Sequence, residues 1–282
     1  MVVEVTMLVM RRQWIVGLAT LVVLFVPIVL AAALKGHHHH TASSGPVVLA
    51  RQDGNDAIAL SVASNAVQVK LLGPQGKGLG GRMVTVAGTA TRSCGSGCYT
   101  AQTSARGVVP VLVDGRRFSF AFPREAPDAT ALLQRATTAF RALHSVTYVE
   151  RLASSRRDHV VSTFTLEAPD RVEYHIHGGV AGIVIGTKRW DRSGKKWTES
   201  ASTLLPQPSP VWGSPVTDAH VLSRTPDTIV ISFLNPGIPA WFEVRFDAHT
   251  LLPRRLDMIA VSHFMHHRYA AFNAPRRIFP PR

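Results

Sequence analysis

The side chains best equipped for chemistry in this chain are its histidines and its two cysteines. In the run His263-Phe-Met-His-His267, alternation along a strand puts His263, Met265 and His267 on one face and His266 on the other. His175 and His177 are also two apart, on what reads as the polar face of another strand. Imidazole and thioether together form a donor set that copper accepts, so these five residues make a candidate metal site. The bland alternative is two solvated strand faces. Cys94 and Cys98 are the only cysteines, in the run Cys-Gly-Ser-Gly-Cys. Flexible glycines let so short a loop close as a disulfide that would mainly pin a turn, while a Cu(I) or zinc dithiolate is the rival. Their spacing does not fit a redox pair, which has two intervening residues. Catalysis is not expected: the sequence holds no HExxH, phosphate-binding loop, nucleophile elbow or close carboxylate pair.

A second kind of site would be apolar. Phe164, Val172, Tyr174 and Ile176, with Phe242, Val244 and Phe246, recur at every second position and would line one face of a sheet. Such a face suits an acyl chain, but the same alternation also describes an ordinary core.

These residues need elements to position them. In the 282-residue chain, 46% is hydrophobic, which excludes a disordered chain and allows one or two domains. Residues 14–34 are 21 consecutive uncharged, mostly aliphatic positions. As a helix they would reach ~31 Å, about the thickness of a bilayer core. Arg11 and Arg12 before this span predict a cytoplasmic N-terminus and an extracytoplasmic bulk; a cleaved secretory signal ending near Ala31–Ala33 is the alternative. Outside the membrane a disulfide is the default reading of the cysteines.

The boundaries follow from pattern. Residues 1–36 read as a cytoplasmic tail and anchor, and 37–45, with His37–His40, as a polar linker that could also bind metal or be a tag. Residues 46–125 read as about seven short strands in an antiparallel β-sandwich: Ile58/Leu60/Val62, Val67/Val69/Leu71 and Phe118/Phe120/Phe122 alternate, with a glycine-rich turn at 73–81. Residues 126–282 begin with a helix from Asp128 to about His144, carrying Leu132, Leu133, Ala136, Phe140 and Leu143 on one face. Seven or eight antiparallel strands then follow. They include a hairpin flanked by Trp190 and Trp197, and a proline-rich loop over 206–215. The expected fold is therefore mainly β: a membrane helix, a small sandwich, then an α+β half-barrel whose one helix covers a curved antiparallel sheet.

The C-terminal segments, Phe164-Thr-Leu-Glu-Ala-Pro-Asp-Arg-Val-Glu-Tyr174, Gly186-Thr-Lys-Arg-Trp190 and Trp241–Pro253 with its Asp-x-x-Thr-x-x-Pro turn, resemble the extracytoplasmic lipoprotein-carrier-like superfamily. The sandwich resembles the immunoglobulin-like modules of bacterial copper-handling membrane proteins. With Cys-Gly-Ser-Gly-Cys-Tyr and His-Phe-Met-His-His, the ensemble is similar to the exported part of copper-resistance D-type proteins. The resemblance implies a half-barrel that binds a lipidic ligand, or an accessory copper role beside a membrane copper-transport partner. A purely structural or interaction role is the third reading.

The formal net charge of +13 divides into +2 for residues 1–36, +5 for 37–126 and +6 for 127–282. No run of five basic residues and no nucleic-acid motif accompanies it. The expected partners are the membrane and anionic lipid or wall polymer, not nucleic acid.

Overall fold

The computed structural model describes residues 45–155, 157–203 and 206–282. The expected span at 14–34 and the histidines at 37–40 lie outside the described residues, among which no helix is long and apolar enough to cross a membrane.

The first unit is a two-sheet sandwich of nine strands, two more than the sequence pattern suggests. Strands β1 (Val47–Asp53), β2 (Asp56–Ala63), β3 (Ala66–Leu72), β6 (Arg92–Gly95) and β7 (Cys98–Ala101) form one sheet in the order β1-β2-β3-β7-β6. Strands β4 (Val84–Val86), β5 (Thr89–Ala90), β8 (Gly107–Val113) and β9 (Arg116–Phe122) form the other, in the order β5-β4-β8-β9. The expected alternations close the core: Ile58, Leu60, Val67, Val69 and Leu71 meet Val109, Val111, Phe120 and Phe122. Two of the strands, β5 and β6, lie wholly at the surface and carry no apolar alternation, which is why the pattern does not announce them.

Cys94 and Cys98 are joined as a disulfide across the β6–β7 turn. Gly97 of that turn has positive φ, and its backbone lies against Gly78 of the glycine-rich loop so closely that a Cβ on either would strike main-chain atoms. The Gly97 carbonyl accepts from Leu71 N–H at 2.8 Å, and Tyr99 O–H donates to Leu79 O at 2.6 Å, so turn and loop hold each other.

The second unit opens with α1 (Thr130–Arg141), the one helix among the described residues. It starts two residues after the expected Asp128, whose carboxylate instead accepts from Thr130 N–H at 2.9 Å. Leu133, Ala136 and Phe140 are its buried stripe. Six strands follow as a meander: β10 (Ser145–Ala153), β11 (His159–Glu167), β12 (Arg171–Ile176), β13 (Ala181–Ile185), β14 (Lys188–Ser193) and β15 (Lys196–Ala201). A second meander has five: β16 (Thr217–Arg224), β17 (Thr228–Asn235), β18 (Ala240–Asp247), β19 (Pro253–Ala260) and β20 (His263–Phe272). Pairing of β10 with β20 joins them into one open antiparallel sheet of eleven strands, in the order β15-β14-β13-β12-β11-β10-β20-β19-β18-β17-β16. That is three or four strands more than expected. Mainly β, antiparallel and with one covering helix, this is the arrangement expected of a half-barrel.

Because β15 and β16 are the two edges, the proline-rich connection between them must pass from one side of the sheet to the other. Gln207 N–H donates to Pro169 O at 2.8 Å, beside the β11–β12 turn. Trp212 is fully buried under α1. The β16 edge is itself covered, since Ala129 N–H donates to Ala219 O and Val221 N–H to Pro127 O. In the Asp-x-x-Thr-x-x-Pro turn, Asp247 accepts from the Thr250 and His249 amides at 2.8 and 3.0 Å. The Thr250 amide, followed by the Arg254 guanidinium, holds its carboxyl well below the usual range. That motif closes a turn.

The two units are packed face to face. Val48, Ala50, Ala57 and Ala59 on the outer side of the β1–β2 sheet meet Ala153, Trp241, Ile259 and Phe264 on the side of the large sheet away from α1. The buried His220 ring links the ends of this joint, with Nδ1 2.8 Å from Ala126 O and Nε2 2.7 Å from Gly45 O. Carbonyls only accept, so both contacts are hydrogen bonds when both ring nitrogens carry protons.

Candidate functional site: the inner face of the half-barrel

All seven residues expected to line a pocket lie on the face of the large sheet that α1 covers. The register fixes this: Phe164 stands opposite Tyr174, Leu166 opposite Val172 and Ser162 opposite Ile176, while Ile229 faces Phe246 and Phe233 faces Phe242. They do not form one uniform surface. Phe242, Val244 and Phe246 are almost completely buried, sealed by α1 and by Trp212. Rings meet edge to face there, Phe140 with Trp212 at 5.7 Å and Trp212 with Phe246 at 5.9 Å. Val172 and Ile176 are only half-buried, as are their neighbours Val160 and Tyr148. The inner face is thus closed across β16–β19, while at β10–β12 partly exposed residues alternate with buried ones such as Phe164 and Tyr174, which makes this the more accessible end.

A ladder of rings runs across the accessible end. Tyr174, Phe164 and Tyr148 are successive cross-strand partners, with centroids 5.8 and 5.2 Å apart. Tyr148 then stacks on His267 at 4.5 Å. At the other end of the ladder the Tyr174 ring lies over Gly182, where a Cβ would come within 2.3 Å of it, so only glycine leaves it room. Tyr174 O–H donates to Asp191 Oδ1 at 2.7 Å and accepts from Arg189 at 2.9 Å; Arg189 also grips both oxygens of Asp191. Burial, followed by the hydrogen bond to Asp191, raises the Tyr174 phenol well above its ordinary range.

Between the two ends sits a buried polar pair that the hydrophobic pattern does not reveal. Glu150 and His267 are cross-strand partners, 3% and 2% exposed. His267 Nε2 is 2.7 Å from Glu150 Oε2, and its Nδ1 is 3.3 Å from the Tyr269 hydroxyl. A carboxylate only accepts, so the imidazole proton toward Glu150 sits on Nε2, and Tyr269 O–H can donate to Nδ1. Burial, and after it the Glu150 charge, raises both the Tyr148 and Tyr269 phenols and keeps them protonated.

The five candidate metal ligands do not converge. His175 stands opposite Thr163 on the outer face, 3.2 Å from Glu173, and His177 just past β12 reaches Thr163 Oγ1 at 3.3 Å. Met265 and His267 share the inner face, where His267 is committed to Glu150. His263 begins β20, its Nδ1 3.0 Å from Val261 O. The sheet itself separates the two sets, and among the described residues no group of three or more His, Cys, Asp or Glu side chains could hold a metal. The cysteines, joined to each other, offer no thiolates. The expected copper site therefore has no counterpart among the described residues.

No protein-family model matches the chain, and neither does any curated protein. Among solved structures, a LolA-superfamily protein from Nitrosomonas europaea aligns with a TM-score of 0.29 and 10% identity, over 55% of this chain and 96% of that one.

Proposed function

We propose that this chain is a membrane-anchored, extracytoplasmic binding protein whose half-barrel takes an apolar, acyl-type ligand on its inner face. The observation that carries the reading is the gradient across that face. Five of the seven lining residues are buried, Phe164 and Tyr174 among them, whereas Val172 and Ile176, with Val160 and Tyr148, stay partly exposed beside a continuous ring ladder. Apolar side chains kept partly open next to rigid aromatic surface suit a chain that is apolar and narrow. Residues 14–34 supply the anchor. The sandwich, taken as an immunoglobulin-like spacer, sets the distance between bilayer and half-barrel. A ligand drawn from the bilayer would then have only a short path to its site.

Two measurements on the full chain in native membranes test this. After alkaline carbonate washing the protein should stay with the membrane; release of a shorter chain lacking residues 14–34 would replace the anchor with a cleaved signal. A photoactivatable fatty acid should crosslink to β11 and β12 as well as to the span. Val172→Trp and Ile176→Trp, each checked for an unchanged melting temperature, should suppress the β11–β12 crosslinks by filling the accessible end. Crosslinks confined to residues 14–34 would overturn the binding reading and leave the anchor standing.

A further inference from the structure

The outer face of the half-barrel carries a feature with the opposite chemistry. Where the sandwich leaves that face, a groove of about 390 Å³ opens between β1 and strands β18–β20. Its walls include Leu49, Trp241 and Ile259 on the apolar side and Arg51, Arg245 and Arg255 on the charged side. The size is that of a small-molecule site. The apolar contact of Val48 and Ala50 with Trp241 and Ile259 fixes the two walls relative to each other.

The arginines are arranged at a cost. Arg245 stands directly opposite Arg255, and Arg255 directly opposite Arg268, so three arginines occupy one row across β18, β19 and β20 on the same face of the sheet. Like charges facing each other across strands oppose pairing. The acidic residues in the groove do not relieve them all. Glu243 is 3.7 Å from Arg51. Asp257 lies between Arg255, at 3.1 Å, and His266, at 2.5 Å. Burial alone would raise the Asp257 carboxyl, but the His266 and Arg255 hydrogen bonds outweigh it and hold the group below its ordinary value, hence ionised. Both acids in the lining are thus engaged. Arg245 has no hydrogen bond or ion pair among the described residues, and the lining keeps a surplus positive charge of three arginines against two carboxylates.

We propose that this groove binds a phosphate group, with Arg245 and Arg255 as paired ligands and Trp241 and Ile259 receiving the organic remainder. A phosphate monoester offers three oxygens and up to two charges, so one group can accept from two neighbouring guanidinium forks and cancel their repulsion. A carboxylate, with one charge, satisfies one fork only. The apolar wall lowers the local dielectric and strengthens the contact. The site lies on the side of the sheet opposite the acyl-binding face, and it stands or falls independently of that reading.

The test uses the full chain in a non-ionic detergent, followed by calorimetry. Glycerol 3-phosphate is titrated as a soluble monoester, and phosphatidic acid is presented in mixed micelles, with phosphatidylcholine as the uncharged-headgroup control. One-site, salt-sensitive binding is expected in at least one arm. Arg245→Gln and Arg255→Gln should each weaken it by about tenfold or more, as expected for loss of a charge-assisted hydrogen bond. Their melting temperatures should be unchanged or raised, and Arg117→Gln, an exposed arginine of the sandwich, should bind normally. Response to glycerol 3-phosphate identifies a soluble ester, whereas response to phosphatidic acid alone identifies a lipid headgroup. Absence of saturable binding in both arms at ligand on the order of 10 mM, or binding indifferent to both substitutions, overturns the proposal.

Discussion

His267→Leu is expected to destabilise the half-barrel by about 3–5 kcal/mol, far more than the volume change alone would suggest. The substitution removes the Nε2–H that meets Glu150 at 2.7 Å and leaves that carboxylate 3% exposed, between Ser162 and the new leucine. Around it are Leu152 and the Phe164 ring, which have no donor to offer the freed oxygen. A buried charge whose partner is removed must stay desolvated or take up a proton, and both are costly. The reciprocal Glu150→Leu should cost less, because a neutral imidazole with Tyr269 still nearby is easier to bury than a bare carboxylate. In the double variant Glu150→Leu/His267→Leu no orphan remains, and apolar replacement of a buried pair is often neutral. Urea unfolding of the four proteins, followed by tryptophan fluorescence, should therefore give a coupling of about 3 kcal/mol with the double variant near wild type. Additive losses would mean that the two side chains act as separate packing elements.

The pair also marks where sequence patterns stop being informative. The alternations that define the inner face, such as Phe164 with Leu166 or Val172 with Tyr174, are plainly legible, and the register carries them through. Strand β10 is not legible, because Glu150 interrupts its apolar face; the carboxylate is tolerated only because β20 brings His267 across from 117 residues away. His266 and His267 are sequence neighbours with opposite surroundings, one bound to Asp257 on the outer face and the other buried inside. The metal-site expectation treated each strand by itself, so it could not see that β12 and β20 present their histidines to different sides of one sheet. Arg245, Arg255 and Arg268 are 10 and 13 positions apart, a spacing with no local meaning until antiparallel register sets them side by side. What a strand faces is local information. What lies opposite it is not.

Trp212→Ala should be the other large loss, about 3–5 kcal/mol for emptying a buried tryptophan site. Trp212 belongs to a proline-rich connection that reads as ordinary loop, yet it is 0% exposed. Its indole N–H donates to Thr137 Oγ1 on α1 at 3.0 Å, its ring meets Phe140 and Phe246, and its carbonyl accepts from Asn235 Nδ2 at 2.9 Å. One residue therefore ties the connection to the helix, to the floor of the sheet and to the end of β17. The connection starts at one edge of the sheet and ends at the other, and Gln207, Pro208 and Pro210 in it are buried as well. Trp212→Phe keeps the ring contacts and loses the hydrogen bond to Thr137, which should cost only about 1 kcal/mol. Thermal unfolding of the two variants gives the stability difference. The same proteins separate a plug from simple core: if Trp212 seals the closed end, crosslinks of the photoactivatable fatty acid should extend in Trp212→Ala from β11 and β12 onto Phe242 and Phe246. A variant that loses stability while its crosslinks stay on β11 and β12 would show that the phenylalanine floor closes itself, and that Trp212 contributes packing without controlling access.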